Sequence, residues 1–169
     1  MTIDDFSGLR GSAPGGSGAQ DDEERVLQFT RTFNAPRELV FRMWTETEHI
    51  RHWYGPKGFE VVFVEMDVRV GGKWRKCMRA PDGTDYWRSG VYREIVHPER
   101  LVFTYVSDDP QGIKGHETLV SLDFLDRDGR TLMVFRQETF DSVATRNSHR
   151  GGWGEALDRF AARVESVAG

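Results

Sequence analysis

Cysteine is nearly absent: Cys77 stands alone in 169 residues. No intrachain disulfide can form, so nothing calls for an oxidising compartment, and an intracellular, cytoplasmic location is expected. No apolar run approaches the roughly 20 residues of a membrane-spanning helix. The opening MTIDDFSGLR lacks the basic and apolar regions of a secretory signal, so no membrane partner is expected. Basic charge is not in excess either. Residues 1–24 set Asp4, Asp5, Asp21, Asp22, Glu23 and Glu24 against Arg10 alone, which leaves residues 25–169 at +1 out of a total of −4. A nucleic-acid binder shows a clear basic surplus, so no nucleic-acid partner is expected. GxSxG, P-loop, HExxH and CxxC patterns are all missing, which removes the commonest signals for acyl transfer, nucleotide binding and zinc.

What is present is the composition of a globular protein, 38% hydrophobic and 30% charged. GSAPGGSGAQDDEE cannot bury enough apolar surface to offset its ordering entropy. Residues 1–24 are therefore expected to be a disordered tail, and residues 25–169 one domain. RVLQFTRTF alternates as a strand. NAPRELVFRMW changes to a helical period, with Pro36 and Glu38 suited to the first turn and Val40, Met43 and Trp44 on one face. TETE reads as a capping box, Thr45 capping a second short helix and Glu48 reaching back, and Gly55-Pro56 ends that helix after Trp53. Six strands follow, in FEVVFVEM, VGGKWRKCMR, DYWRSGVYREIV, LVFTYV, ETLVSLDFL and RTLMVFRQETF. They are joined by APDGT, HPER, the longer SDDPQGIKG, and DRDG. The final SHRGGWGEALDRFAARVESVAG carries a helical stripe of Trp153, Leu157, Phe160, Val164 and Val167. The fold class is α+β, ordered β-α-α-β6-α: an antiparallel sheet of about seven strands covered by a long C-terminal helix.

FNAPRELVFRMWTETEHIRHWYGP, VRVGGKWRKCMRAPDGT, SGVYREIVHPERLVFTY and GGWGEALDRFAARVE together resemble the homologues of the heat-shock-protein-90 ATPase activator. That family lies within the SRPBCC superfamily, also called START-like or Bet v 1-like. The resemblance implies a helix-grip fold, with a curved sheet around the last helix and two small helices closing one end. It also implies a cavity for an apolar ligand. The superfamily holds lipid and sterol carriers, polyketide cyclases and aromatases, and proteins that sequester natural products in self-resistance.

The residues narrow the site. Trp74 and Met78, Phe103 and Tyr105 with Leu101, Leu122 and Phe124 with Val120, and Met133 and Phe135 share strand parities that would face Trp153 and Leu157. With Trp53 at the groove mouth, these are the expected cavity lining. His52, Glu117 and Gln137 are the expected rim. Gly151-Gly152 would thin the start of the last helix beside Trp153. His49 and His52, i and i+3, share a side but lack the further ligands a zinc ion needs, so no metal and no cofactor are expected. Cys77 lies on the face of Arg75 and Arg79 with no histidine predicted beside it, which suits a structural thiol. Arg69, Lys73, Arg75 and Arg79 form a basic outer face, either solvated or a dock for an acidic chaperone.

No acid–base pair can be nominated, so the expected function is non-catalytic binding of a hydrophobic or aromatic small molecule, sequestration of a natural product being one form. The alternatives are a chaperone ATPase-activating module and a cofactor-independent cyclase or aromatase. The sequence carries no signal for oligomeric state.

Overall fold

The computed structural model describes residues 23–108, 111 and 113–169. The expected tail falls outside the described residues, apart from Glu23 and Glu24, as do Asp109, Pro110 and Gly112 of the long loop. The elements run β1 (Leu27–Phe33), α1 (Arg37–Thr45), α2 (Thr47–Trp53), β2 (Glu60–Met66), β3 (Lys73–Arg79), β4 (Asp85–Val96), β5 (Arg100–Ser107), β6 (Thr118–Arg127), β7 (Arg130–Glu138) and α3 (Val143–Ala168). Every strand pairing is antiparallel, in the order β1-β7-β6-β5-β4-β3-β2. The expected α+β order of strand, two short helices, six strands and a long helix is what forms.

Alternation decides which face is covered. Thr118, Val120, Leu122 and Phe124 of β6 are buried, and so are Thr131, Met133, Phe135 and Gln137 of β7. Register aligns Leu101, Leu122 and Phe135 across three strands, so their side chains make one concave apolar row. Trp153, Ala156, Leu157, Phe160 and Val164 of α3 cover it. Each large side chain so buried contributes about 1.5–3 kcal/mol by removal from water.

Two helix boundaries differ from expectation. Thr45 does not cap α2; it ends α1, where its hydroxyl donates to the Phe41 carbonyl 3.2 Å away, as threonine can do inside a helix. Glu46 stands at the α2 N-cap without a side-chain capping bond, its carboxylate accepting instead from Arg42 Nε at 3.0 Å. The last helix starts earlier, at Val143, because the Ser142 hydroxyl accepts from the Thr145 amide at 3.0 Å. Gly151 and Gly152 therefore lie in its interior, not at its start. Its stripe ends at Val164, and Val167 beyond it is 38% exposed.

The groove between sheet and α3 is largely filled, and Trp44 of α1 is the main filler. Its ring lies 4.7 Å from that of Trp53, 5.5 Å from Phe160, 6.0 Å from Trp153 and 6.2 Å from Phe135. These are contact distances for aromatic pairs, so the middle of the groove is packed core.

Candidate functional site

What stays open is one end of the groove. A cleft of about 320 Å³ lies between α3 and the β3–β5 end of the sheet. Tyr54, Gly55, Pro56 and Phe59, which link α2 to β2, make one wall. Met78, Tyr86, Arg88 and Tyr105 supply the floor from the sheet, and Ser148, His149, Gly151, Gly152, Trp153, Glu155 and Ala156 of α3 complete it. Gly55 takes φ +104°, a conformation that favours glycine, and a Cβ there would come within 3.1 Å of Met78 Sδ. Arg159 of α3 donates from Nη1 to the carbonyls of Gly55 and Pro56, both at 3.0 Å, which ties this wall to the helix. A Cβ on Gly151 would meet nothing within 4 Å, and one on Gly152 would meet only Pro56, at 3.5 Å. The helical glycines keep the mouth wide.

The deep end is polar. Tyr54 and Tyr105 hydroxyls lie 3.1 Å apart, and Arg88 Nε donates to the Tyr105 oxygen at 3.2 Å. Arg88 Nη1 donates to the Trp87 carbonyl at 3.0 Å. Directly opposite Arg88 on the ladder, behind the residues that line the cleft, stands Lys76. It shares the parity of Trp74 and Met78 and is only 4% exposed. Its Nζ lies 4.4 Å from the Trp74 ring centre and 4.7 Å from that of Tyr54. No carboxylate pairs with it among the described residues, and burial pulls its pKa from 10.5 down to about 7. Burial also raises the Tyr54 pKa, so that phenol stays protonated. His149 is held neutral chiefly by burial. Its Nδ1–H donates to the Thr145 carbonyl at 3.0 Å and its Nε2 accepts from Ser107 Oγ at 3.3 Å.

A family model for the Activator of Hsp90 ATPase homolog 1-like protein matches residues 34–165. The chain belongs to this family. A solution structure of a protein from Arthrobacter aurescens superposes with a TM-score of 0.78 at 23% identity, over 86% of this chain and 89% of that one. A crystal structure of a protein from Chromobacterium violaceum gives 0.73 at 26%, over 83% and 97%. The AHSA1 protein from Silicibacter pomeroyi gives 0.74 at 22%, over 83% and 97%. A search of the curated proteins finds no match.

In this family member the residues expected from sequence divide sharply. Met78, Tyr105 and Trp153 come together at the cleft. Trp74, Phe103, Leu122, Phe124, Met133, Phe135 and Leu157 are buried in the filled core and do not line it; Trp44 packs against Phe103 and Phe135, and Phe41 against Phe124. Trp53 is fully buried, donates from Nε1 to the Met43 carbonyl at 3.0 Å, and forms no part of the mouth. Of the expected rim, Gln137 is internal: it donates to Thr118 Oγ1 and accepts from Trp153 Nε1, both at 2.8 Å. His52 and Glu117 are exposed and lie off the cleft.

His49 and His52 do not share an environment. His49 is buried, with its Nδ1 accepting from Arg163 at 3.2 Å, and its pKa is lowered by burial and then by that guanidinium. The described residues contain no group of three or more His, Cys, Asp or Glu arranged to hold a metal. Burial pushes the Cys77 thiol up. The basic outer face is largely paired within itself. Arg69 meets Asp67 at 2.7 Å, Arg79 binds Asp85 through two nitrogens, and Arg75 lies 4.0 Å over the Trp87 ring. Among the described residues no helix is long and apolar enough to cross a membrane.

Lys76 and Arg88 were not singled out from the sequence. The signal was there: in KWRKCMR, Lys76 falls between two residues already assigned inward. A lysine on an apolar face breaks the binary pattern, and such breaks mark sites.

Proposed function

We propose that the protein is a non-catalytic binder of a small aromatic or alicyclic molecule, held in the cleft between α3 and the sheet. The observation that carries this reading is the cleft itself. Ring and aliphatic walls from Tyr54, Phe59, Met78, Tyr86, Tyr105, Trp153 and Ala156 surround a few placed polar groups, which is the usual form of a small-molecule site. Its volume is at the low end of such sites, roughly 300–1,000 Å³. A one- or two-ring molecule fits better than an extended lipid. Sequestration of a natural product of that size is one form this function can take. The carboxylate that lines the cleft, Glu155, is exposed at its mouth and bonds the Lys57 amide, with no hydrogen bond to His149 or to either phenol, which favours binding over cyclase chemistry.

The test is a titration of one- and two-ring aromatics followed by tryptophan fluorescence, since Trp153 lines the cleft. Saturable quenching should appear in the wild type and be lost in Gly151→Trp, which fills the mouth without entering the core. Equal responses from both proteins would overturn the reading. Stimulation of a purified chaperone ATPase by the unliganded protein, undiminished in Gly151→Trp, would favour the activator function that the family is named for.

A further inference from the structure

The deep end of the cleft is rich in hydrogen-bond donors. Two phenolic protons belong to Tyr54 and Tyr105, and their mutual hydrogen bond consumes one. Tyr105 already accepts from Arg88, so whichever way the pair is oriented, one O–H is left to donate into the cleft. Arg88 uses Nε and Nη1 on Tyr105 and the Trp87 carbonyl, and among the described residues Nη2 has no acceptor. Lys76 Nζ faces two aromatic rings and no carboxylate. Lys76 and Arg88 stand directly opposite on the ladder, so this end carries two basic side chains on one face.

We propose that this end is an anion subsite: it takes the carboxylate of a small aromatic or alicyclic acid, with Arg88 and one phenol of the Tyr54–Tyr105 pair as its donors, the buried Lys76 ammonium as a charge behind them, and the rest of the molecule along Met78, Trp153 and Ala156. The inference rests on the cleft-binding reading and names the ligand class for it. A guanidinium is a strong carboxylate donor when shielded from water, and a buried ammonium behind it adds to the attraction for an anion.

The charged and titratable groups at this end of the cleft are Arg88 and Tyr86 on β4, Tyr54 ahead of β2, Tyr105 on β5, Asp108 just beyond it, and His149 and Glu155 on α3, with Lys76 opposite Arg88. Asp108 is close enough to raise the Arg88 pKa, and it is itself paired with Lys114 at 3.8 Å. Glu155 is exposed at the mouth and accepts from the Lys57 amide at 3.1 Å. Neither carboxylate bonds the two inward cations. With the Lys76 pKa near neutrality, an arriving anion draws a proton onto it.

The experiment compares 2-naphthoate with 2-naphthamide by titration calorimetry at pH 7.5, where His149 is neutral, in buffers of different ionisation enthalpy. The acid should bind about tenfold more tightly or better than the amide, with net proton uptake. Lys76→Met should abolish the uptake and reduce the preference, and Arg88→Met should remove the preference while still binding the amide. Arg88→Lys keeps a donor and should retain part of the preference, a control against simple misfolding. Equal binding of acid and amide, or acid binding without proton uptake, overturns the anion subsite and leaves the cleft-binding reading intact. Binding of neither compound at millimolar concentration overturns both.

Discussion

Replacing Lys76 by methionine should make the protein more stable, by an amount that depends on pH. The displacement from 10.5 to about 7 means that the charged form is disfavoured in the fold by about 5 kcal/mol, at about 1.36 kcal/mol per decade. The Tyr54 and Trp74 ring faces act in the opposite sense, by about 0.5–2 kcal/mol each, and do not overcome this. The folded pKa lies below the unfolded one, so between pH 7 and 10.5 the unfolded chain binds more protons. Wild-type stability therefore rises with pH across that window. Methionine has a similar length and no ammonium, so the variant lacks this dependence. Its advantage should be at most about 4 kcal/mol at pH 7 and about 2 kcal/mol at pH 9, less what the two ring faces return to the charged lysine. Urea unfolding of both proteins at pH 6, 7, 8 and 9 measures it. A difference that stays flat across these pH values, or a variant less stable than wild type at every one, would refute the reasoning.

Other substitutions test neighbouring parts. Gly151→Ala should raise stability by about 0.5–1 kcal/mol in a thermal melt, because the glycine is inside a helix and an added Cβ meets nothing. Gly90→Ala should cost about 1–3 kcal/mol or more by the same assay, since a Cβ there would strike the Thr104 carbonyl and Trp74 Nε1. Trp153→Ala should cost about 3–5 kcal/mol and orphan the Gln137 amide oxygen, whereas His52→Ala, on the surface, should stay within about 0.5 kcal/mol. Both His49 and His149 should titrate below the ordinary 6.5 by NMR, so the stability they contribute is complete above that pH and lost as pH falls through their folded values.

Alternation is plain in β6 and β7, where one face is covered and the period-2 pattern follows directly, whereas β5 is buried on both faces from Leu101 to Tyr105 and reads instead from its apolar run between turns. The stripe from Trp153 to Val164 was equally plain. The site was less legible for a geometric reason. Strand parity states which side chains point inward, but not which of them a third element then covers. Val40, Met43 and Trp44 were readable as one helical face, yet only the fold brings Trp44 across the groove to meet Trp153, Phe135 and Phe160. That ring, with Phe41 over Phe124, helps turn expected lining into core. Tyr54 and Arg159 depend on the meeting of distant segments and carry no local signal. Lys76 and Arg88 did carry one. Their parity is inward, and only the habit of assigning charge to solvent hides it.

The central claim is that a small ring-bearing molecule is held at the open end of the groove. Amide chemical-shift mapping during titration with 2-naphthoate tests it most directly. The account predicts saturable shifts concentrated at Gly55, Met78, Arg88, Tyr105 and residues 151–153, with the Val40–Trp44 segment unmoved. Shifts that never saturate, or that gather on the outer face around Arg75 and Arg79, would contradict it.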